Sequence, residues 1–287
     1  MSQNAPASPT QQRSVLSADG TPIGYQTMGS GPDAIVVGGA LFTAQDYQPL
    51  ASTLAQSCTV HLVERRGRGA SGPLGHDYSL RKEVDDILAV HAETGARLAF
   101  GHSYGGLAIL ETARSSPVFD RIALYEPGAP GGDVPTGWMA PYRERLAAGD
   151  PYGAFAYFVQ GSGGAPGFVA KLPYWYLRTA LRIGFRGQRW QRMRPLLEAN
   201  LAEHEQLAAQ RDRLDEFVNL TAATLILCGT RTPSTTRAEL DALADGTLPN
   251  ATLDTMNGLN HFGPEGESGP IVAERAAAFL LAVGVSR

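Results

Sequence analysis

The sequence predicts a doubly wound α/β fold with a mostly parallel sheet and one inserted helical lid. Short apolar runs alternate with helical segments from residue 34 to residue 126, and this strict β-α-β alternation implies right-handed crossovers. The alternation stops between residues 127 and 218, where loops and helices rich in aromatic residues replace it. It resumes from residue 219 to the C-terminus.

Each element is assigned from its hydrophobic pattern. An Asp-Gly pair between residues 13–17 and 21–28 predicts an antiparallel hairpin. The continuously apolar runs are typical of strands buried on both faces. We predict such strands at 34–37, 59–63, 98–100, 122–125, 224–228 and 252–256, and helices at 45–56, 79–93, 104–115, 138–148, 153–160, 174–183, 189–213, 236–244 and 270–283.

The pattern divides the chain into four segments. Residues 1–12 are polar, contain no apolar run and are expected to be disordered rather than a signal peptide. Residues 13–126 and 219–287 form the α/β core, and residues 127–218 form the lid. Because ligands bind at the carboxyl ends of parallel strands, a lid inserted after the strand at 122–125 would roof the site.

Composition and charge exclude several classes of function. The chain has 287 residues and a net charge of -4, which gives no electrostatic case for nucleic acid or an anionic membrane. No segment is long and apolar enough to span a bilayer. Cys58 and Cys228 lie in or beside apolar runs and are predicted to be buried thiols, which suits a reducing cytoplasm. A monomer and a homodimer are equally compatible with the sequence.

A nucleophile is predicted at Ser103. Gly101-His102-Ser103-Tyr104-Gly105 lies between an apolar strand and a helix, and a sharp strand-to-helix turn of this kind holds a serine in a strained, exposed conformation. The competing interpretation is a glycine-rich turn with an incidental serine.

The general base is predicted at His261. A serine hydroxyl needs a base to remove its proton, and a neutral imidazole suits that role near pH 7. Among six histidines, His261 follows the last strand in a turn-rich loop, where a base lies when the order is nucleophile, acid, histidine. The alternative is an ordinary surface-loop histidine.

The carboxylate that orients the base is predicted at Glu126. After the penultimate strand, where many enzymes of this layout carry an aspartate, this chain has Thr232. Glu126 ends the strand after the nucleophile helix, and a buried carboxylate there requires a partner. Asp133 is the reserve candidate, and a structural glutamate that binds lid backbone is the competing role for Glu126.

Two backbone N–H groups are expected to bind the oxyanion. One is that of Tyr104, directly after the nucleophile, and the other is that of Gly39 or Ala40 after the first parallel strand. The basic loop at 64–72 suggests either an anion site or a packed turn with solvated arginines, and the turn is favoured.

These motifs resemble the α/β-hydrolase superfamily from about residue 15 to the C-terminus. Among members with a serine nucleophile, the segments around Glu126, Thr232 and His261 resemble the fungal zearalenone lactone hydrolases. That resemblance implies a serine, a glutamate and a histidine at Ser103, Glu126 and His261, and a macrolactone as one candidate substrate under a helical cap. The superfamily motifs are Gly38-Gly39, Arg66-Gly67-Arg68-Gly69-Ala70-Ser71, Gly101-His102-Ser103-Tyr104-Gly105-Gly106 and Asn260-His261-Phe262.

The expected function is hydrolysis of an ester or lactone bond in a fairly apolar small molecule, with neither cofactor nor metal. Two alternatives stay open at this point. The same pocket could run cofactor-independent cyclisation, elimination or perhydrolysis, because the fold does not dictate the reaction. The scaffold could also serve as a non-enzymatic ligand-binding protein.

Overall fold

One eight-stranded sheet runs through the centre of the protein. The computed structural model describes residues 10–132, 134–164 and 167–282. The strands are β1 (Gln11–Leu16), β2 (Pro22–Gly29), β3 (Asp33–Val37), β4 (Thr59–Val63), β5 (Leu98–His102), β6 (Arg121–Tyr125), β7 (Ala223–Gly229) and β8 (Ala251–Met256). Their order across the sheet is β1-β2-β4-β3-β5-β6-β7-β8.

Strands β3 to β8 are parallel, and the β1–β2 hairpin joins β4 antiparallel. This arrangement confirms the predicted fold class. The hairpin begins earlier than predicted, because Gln11 and Gln12 pair with Thr27 and Gln26 of β2. The expectation of disorder is therefore wrong for these two residues, and residues 1–9 lie outside the described part of the chain.

Eleven α-helices occur in the described residues, and most lie close to the predicted positions. The expected single helix at 189–213 is wrong, since Pro195 lacks an N–H group and the chain makes a 3-10 turn at Arg194–Leu196 between two helices. The helices are α1 (Gln48–Leu54), α2 (Leu80–Thr94), α3 (Tyr104–Ser115), α4 (Met139–Ala147), α5 (Pro151–Gly161), α6 (Gly167–Ala170), α7 (Tyr174–Gly184), α8 (Gln188–Met193), α9 (Leu197–Ala208), α10 (Ser234–Asp241) and α11 (Gly269–Leu280).

The sheet has a hydrophobic core on each face. Helices α2 and α3 cover one face, and α1 and α11 cover the other. Cys58 and Cys228 are fully buried free thiols, as the sequence predicted. None of the described helices is long and apolar enough to cross a membrane.

Helices α4 to α9 lie between β6 and β7, in the stretch of residues 127–218 that we call the insertion, and their buried side chains form a separate hydrophobic cluster. In the part that the structure describes, no strand lies between β6 and β7. Trp138, Tyr142, Phe155 and Trp190 are buried inside the insertion. Leu41, which follows β3, packs into the same cluster and connects the insertion to the loop beside Ser103.

Candidate active site

Ser103 lies at the apex of a sharp turn between β5 and α3. Its backbone φ is +53°, a region in which a side chain is strained. The turn requires glycine on both sides, because a Cβ on Gly105 would lie 2.4 Å from the Gly38 carbonyl oxygen, and one on Gly101 would lie 2.7 Å from the Gly106 Cα. Strand and helix can therefore pass closely enough to present the hydroxyl.

Ser103, His261 and Glu126 form a continuous hydrogen-bonded chain. Ser103 Oγ is 3.1 Å from His261 Nε2, and His261 Nδ1 is 2.9 Å from Glu126 Oε2. The His261 side chain is 33% exposed, whereas that of Glu126 is 1% exposed. A carboxylate in this position fixes Nδ1 as the protonated nitrogen and leaves Nε2 free to accept the serine proton.

Glu126 is held in place by groups after the penultimate strand. Its Oε1 accepts the Gly229 N–H at 3.1 Å and the Thr232 hydroxyl. Burial raises the pKa of Glu126, but the hydrogen bond and charge of His261, with those two donors, outweigh burial and lower the pKa overall. Thr232, at the position where an aspartate was expected, thus donates to Glu126. Asp133 lies outside the described residues.

Gly39 and Ala40, the two candidates for the second oxyanion donor, differ in whether the backbone N–H group already has a hydrogen-bond partner. The Gly39 N–H donates to the Tyr47 hydroxyl at 2.8 Å, whereas no partner for the N–H of Ala40 or Tyr104 occurs among the described residues. Tyr104 is the first residue of α3, so its N–H is free of intrahelical bonds. The geometry therefore favours Ala40 over Gly39 beside Tyr104.

His102 links two loops of the site. Its Nε2 donates to the His261 carbonyl oxygen at 2.8 Å, so its Nδ1 accepts from the Tyr47 hydroxyl at 2.6 Å. Burial, followed by the charge of His261, lowers the pKa of His102 and keeps the ring neutral. This Tyr47–His102 bridge joins Gly39 to the backbone of His261.

Comparison with known proteins identifies the family. Residues 34–275 match the family described as "Alpha/beta hydrolase family". The chain belongs to the alpha/beta hydrolase family. An alpha/beta hydrolase from Sphaerobacter thermophilus DSM 20745 has a similar structure, with a TM-score of 0.76 and 29% identity over 92% of this chain and 98% of that one.

Two other relatives of this alpha/beta hydrolase match it over very different shares of their length. A pimeloyl-[acyl-carrier protein] methyl ester esterase from Aliivibrio salmonicida (strain LFI1238) is 32% identical over 36% of this chain, and the match spans only 38% of that protein's length. Est816, described as an N-acyl homoserine lactone degrading enzyme, shares the fold with a TM-score of 0.69 and 20% identity, covering 92% of this chain and 98% of Est816.

The basic loop of this hydrolase is buried, so the expectation of solvated arginines is wrong. Arg65 forms a pair with Glu83 at 2.7 Å, and Arg66 forms one with Asp86 at 2.7 Å. Arg68 is also buried and pairs with a carboxylate from the insertion. The acidic partners lie on α2 and α9, and sequence spacing gave no sign of them.

We call Arg65, Arg68, Glu83 and Glu203 the arginine cluster. Glu203 of α9 is fully buried, and its Oε1 lies 3.0 Å from Arg65 and 2.5 Å from Arg68. The Arg65 guanidinium stacks over the ring of Tyr104 at 4.8 Å from its centroid. The cluster therefore ties the insertion to the residue that follows Ser103.

Glu265 is a buried carboxyl that the sequence analysis missed. It follows His261 by four residues, and its Oε1 is buried with no hydrogen-bond partner among the described residues. Its Oε1 lies 4.0 Å from the Nδ1 of His102. Burial raises the pKa of Glu265 to about 9, so the carboxyl is neutral at pH 7.

His204 of α9 is close enough to His261 for the charge of His261 to affect its pKa. Its ring contacts Trp138 and Phe158 edge-on, with centroids 5.3 Å and 5.1 Å away. Burial lowers the pKa of His204, and the charge of His261 contributes in the same direction. Among the described residues no cluster of His, Cys, Asp or Glu is suited to a metal ion.

Proposed function

We propose that this alpha/beta hydrolase cleaves an ester or lactone bond of a fairly apolar small molecule through an acyl-enzyme on Ser103. The observation that carries the proposal is the chain Ser103 Oγ to His261 Nε2 to Glu126 Oε2, with separations of 3.1 Å and 2.9 Å. A nucleophile, a base and an orienting carboxylate in this order form the arrangement that activates a serine.

In the first half of the proposed reaction, Ser103 Oγ attacks the substrate carbonyl carbon while His261 Nε2 takes the hydroxyl proton. The carbonyl oxygen becomes an oxyanion that the N–H groups of Tyr104 and Ala40 stabilise, each worth about 3 kcal/mol. His261 then returns its proton to the leaving alkoxide. The carbon–oxygen bond of the ester breaks, and the acyl group stays on Ser103.

In the second half, water enters and His261 removes one of its protons. The resulting hydroxide attacks the acyl carbon, the oxyanion forms again, and His261 protonates Ser103 Oγ as it leaves. A simple ester gives an acid and an alcohol. A lactone gives one ring-opened hydroxy acid, because both groups belong to the same molecule.

An apolar substrate is favoured by the surroundings of the site. Residues 127–218 are proposed to act as the lid, and its Trp138–Phe158–His204 group is proposed to contribute aromatic surface to the pocket, because the charge of His261 reaches His204. The methyl ester activity in the name of the Aliivibrio protein and the lactone activity in that of Est816 are consistent with this class of bond.

The first test is the intact mass of the protein after exposure to a small fluorophosphonate. We expect a single adduct on the wild type and none on Ser103→Ala. A matched control is Ser115→Ala at the opposite, exposed end of α3, which should be labelled like the wild type. Labelling of Ser103→Ala, or of neither protein while the fold is intact, would contradict an activated Ser103.

The second test separates hydrolysis from the competing functions. Ser103→Ala should lose nearly all turnover of esters and lactones, since the nucleophile forms the intermediate. Persistent turnover in that variant would favour a non-covalent reaction such as elimination or cyclisation. Tight ligand binding without turnover in the wild type would favour a binding protein.

The third test addresses the acid. Glu126→Gln keeps the size of the side chain but removes the charge that stabilises the His261 imidazolium, so kcat should fall by about 10³–10⁴. Thr232→Val removes one of two donors to Glu126 and should cost only about tenfold. Circular dichroism checks that both variants fold. Near-normal activity of Glu126→Gln would move the role away from this residue.

A further inference from the structure

The outer side of the insertion carries a group of exposed apolar side chains. Phe168 of α6 is 73% exposed, and Trp175, Tyr176 and Ile183 of α7 are 69%, 49% and 63% exposed. We call these four residues the outer patch. Scattered exposed apolar residues are ordinary, but four within residues 168–183, three of them aromatic, indicate a surface that meets another body.

Helix geometry explains how α7 can hold this patch. Leu177 and Leu181 are the buried residues of α7 and attach it to the rest of the insertion. Trp175, Thr179 and Ile183 recur every four residues along the exposed side, and residues with that spacing share one face. The helix is therefore apolar on two sides, and only one of them contacts the protein.

The segment around the outer patch is strongly basic. No Asp or Glu occurs from residue 151 to residue 197, although the whole chain has a net charge of -4. Arg178 pairs with Asp150 and Arg192 with Asp46, both of which lie outside this stretch. The basic residues that are exposed are Lys171, Arg182, Arg186, Arg189 and Arg194.

Arginine and apolar side chains lie side by side on this surface. Arg182 lies in the last turn of α7 and is adjacent in sequence to Ile183. Arg186 donates to the Arg182 carbonyl oxygen at 2.9 Å, which keeps it close to α7, and Arg189 lies over the Phe185 ring. Aromatic and aliphatic residues that enter an acyl region, flanked by cations that meet headgroups, are typical of surfaces that bind anionic lipids.

We propose that the outer patch and its arginines dock this protein onto an anionic lipid surface. The net charge of the whole chain gives no indication of this basic surface, because the positive charge is concentrated in one segment of an acidic protein. A second copy of the chain suits the patch less well, since a two-fold contact would place two acid-free, arginine-rich segments against each other. The proposal concerns a peripheral contact and does not depend on the identity of the catalytic residues.

Vesicle flotation tests the proposal. The full-length protein should bind vesicles of phosphatidylglycerol and phosphatidylcholine but not phosphatidylcholine alone, and binding should weaken as salt rises from about 0.05 M to 0.5 M. Arg182→Glu/Arg186→Glu and Trp175→Ala/Ile183→Ala should each weaken binding by about tenfold or more. Their hydrolysis of a soluble ester without vesicles should match the wild type.

Control variants are available outside the insertion. Ile271→Ala on α11 and Arg81→Glu on α2 change exposed residues of the same types outside the insertion and should bind vesicles like the wild type. Trp175 is the exposed tryptophan, whereas Trp138 and Trp190 are buried. Anionic vesicles should therefore shift tryptophan emission to shorter wavelength in the wild type and not in Trp175→Phe.

Several results would overturn the proposal. Equal binding to both vesicle types, no binding at low salt, or equal loss in the Ile271→Ala and Trp175→Ala/Ile183→Ala variants would each do so. A dimer in sedimentation that Trp175→Ala dissociates would assign the patch to a second copy. Binding to poly-L-glutamate without binding to anionic vesicles would assign it to an acidic protein partner.

Discussion

Two buried polar regions flank the turn at Ser103. In one the carboxyl groups form ion pairs, and in the other a carboxyl group keeps its proton. On one side the arginine cluster places Glu83 and Glu203 against two guanidinium groups. On the other side, beyond the Tyr47–His102 bridge, Glu265 has a buried oxygen with no partner and stays neutral. The difference indicates that burial alone does not decide the protonation state of a carboxyl, because burial raises the pKa of Glu83 but contact with the Arg65 guanidinium lowers it overall.

The largest expected effect is that of Glu203→Ala. This change leaves Arg68 and part of Arg65 as uncompensated buried charges, so the free energy of unfolding should fall by about 3–5 kcal/mol. Urea denaturation measures it. Glu205→Ala on the same helix breaks an exposed pair with Arg143 and should cost at most about 1 kcal/mol. Equal losses in the two variants would mean that the arginine cluster does not stabilise the fold.

Glu265→Gln should have the next largest effect, and it should increase the free energy of unfolding. The folded protein keeps the Glu265 proton to about pH 9, whereas the unfolded chain releases it above its ordinary value of 4.5. The folded state therefore binds more protons in this window, and its stability falls as pH rises. The amide of Gln does not titrate and removes this pH dependence. The free energy of unfolding of the variant should therefore exceed that of the wild type by on the order of a few kcal/mol at pH 8 and by almost nothing at pH 4.

Urea denaturation of wild type and Glu265→Gln from pH 4 to pH 9 measures this difference. Glu267→Gln is an exposed control two residues away and should change stability by less than about 0.5 kcal/mol at any pH. A stabilisation by Glu265→Gln that is the same at pH 5 and pH 8 would show that Glu265 is charged in the folded protein.

Tyr47→Phe should come third. It leaves the Gly39 N–H and the Nδ1 of His102 without a partner, at a cost of about 1–3 kcal/mol in stability. Because Ala40 follows Gly39, kcat on a 4-nitrophenyl ester should also fall by about tenfold. Unchanged kcat with reduced stability would limit the bridge to a structural role.

Tyr78→Phe should have the smallest effect. Its hydroxyl donates to Glu83 at 2.9 Å and lies 3.0 Å from the hydroxyl of Tyr104. The carboxylate of Glu83 keeps Arg65 after the change, so stability should fall by only about 1 kcal/mol and kcat should be preserved. A loss of stability as large as that of Tyr47→Phe would mean that the arginine cluster tolerates the removal of a hydroxyl no better than the region of Tyr47 and Glu265 does.

The sequence was sufficient for the sheet and for the residues that meet at Ser103. Alternating apolar runs placed six parallel strands, and the ends of three of them placed Ser103, Glu126 and the loop of residues 38–41 at one edge. Local pattern could not reveal partners such as Glu203, which lies 135 residues from Arg68. The same limit hid Glu265, whose environment comes from distant segments, while Pro195 was a local signal that the helix prediction overlooked.

Positive φ values in the backbone around the site affect the selection of heat-resistant variants of this protein. Ser103, Glu126 and Leu41 have φ values of +53°, +39° and +61°, and they are three of the four non-glycine residues with positive φ in the described chain. Each such conformation costs about 1–3 kcal/mol. Ser103→Gly should consequently melt at a higher temperature than the wild type, so a screen that ranks variants by heat resistance alone would favour a protein without its proposed nucleophile.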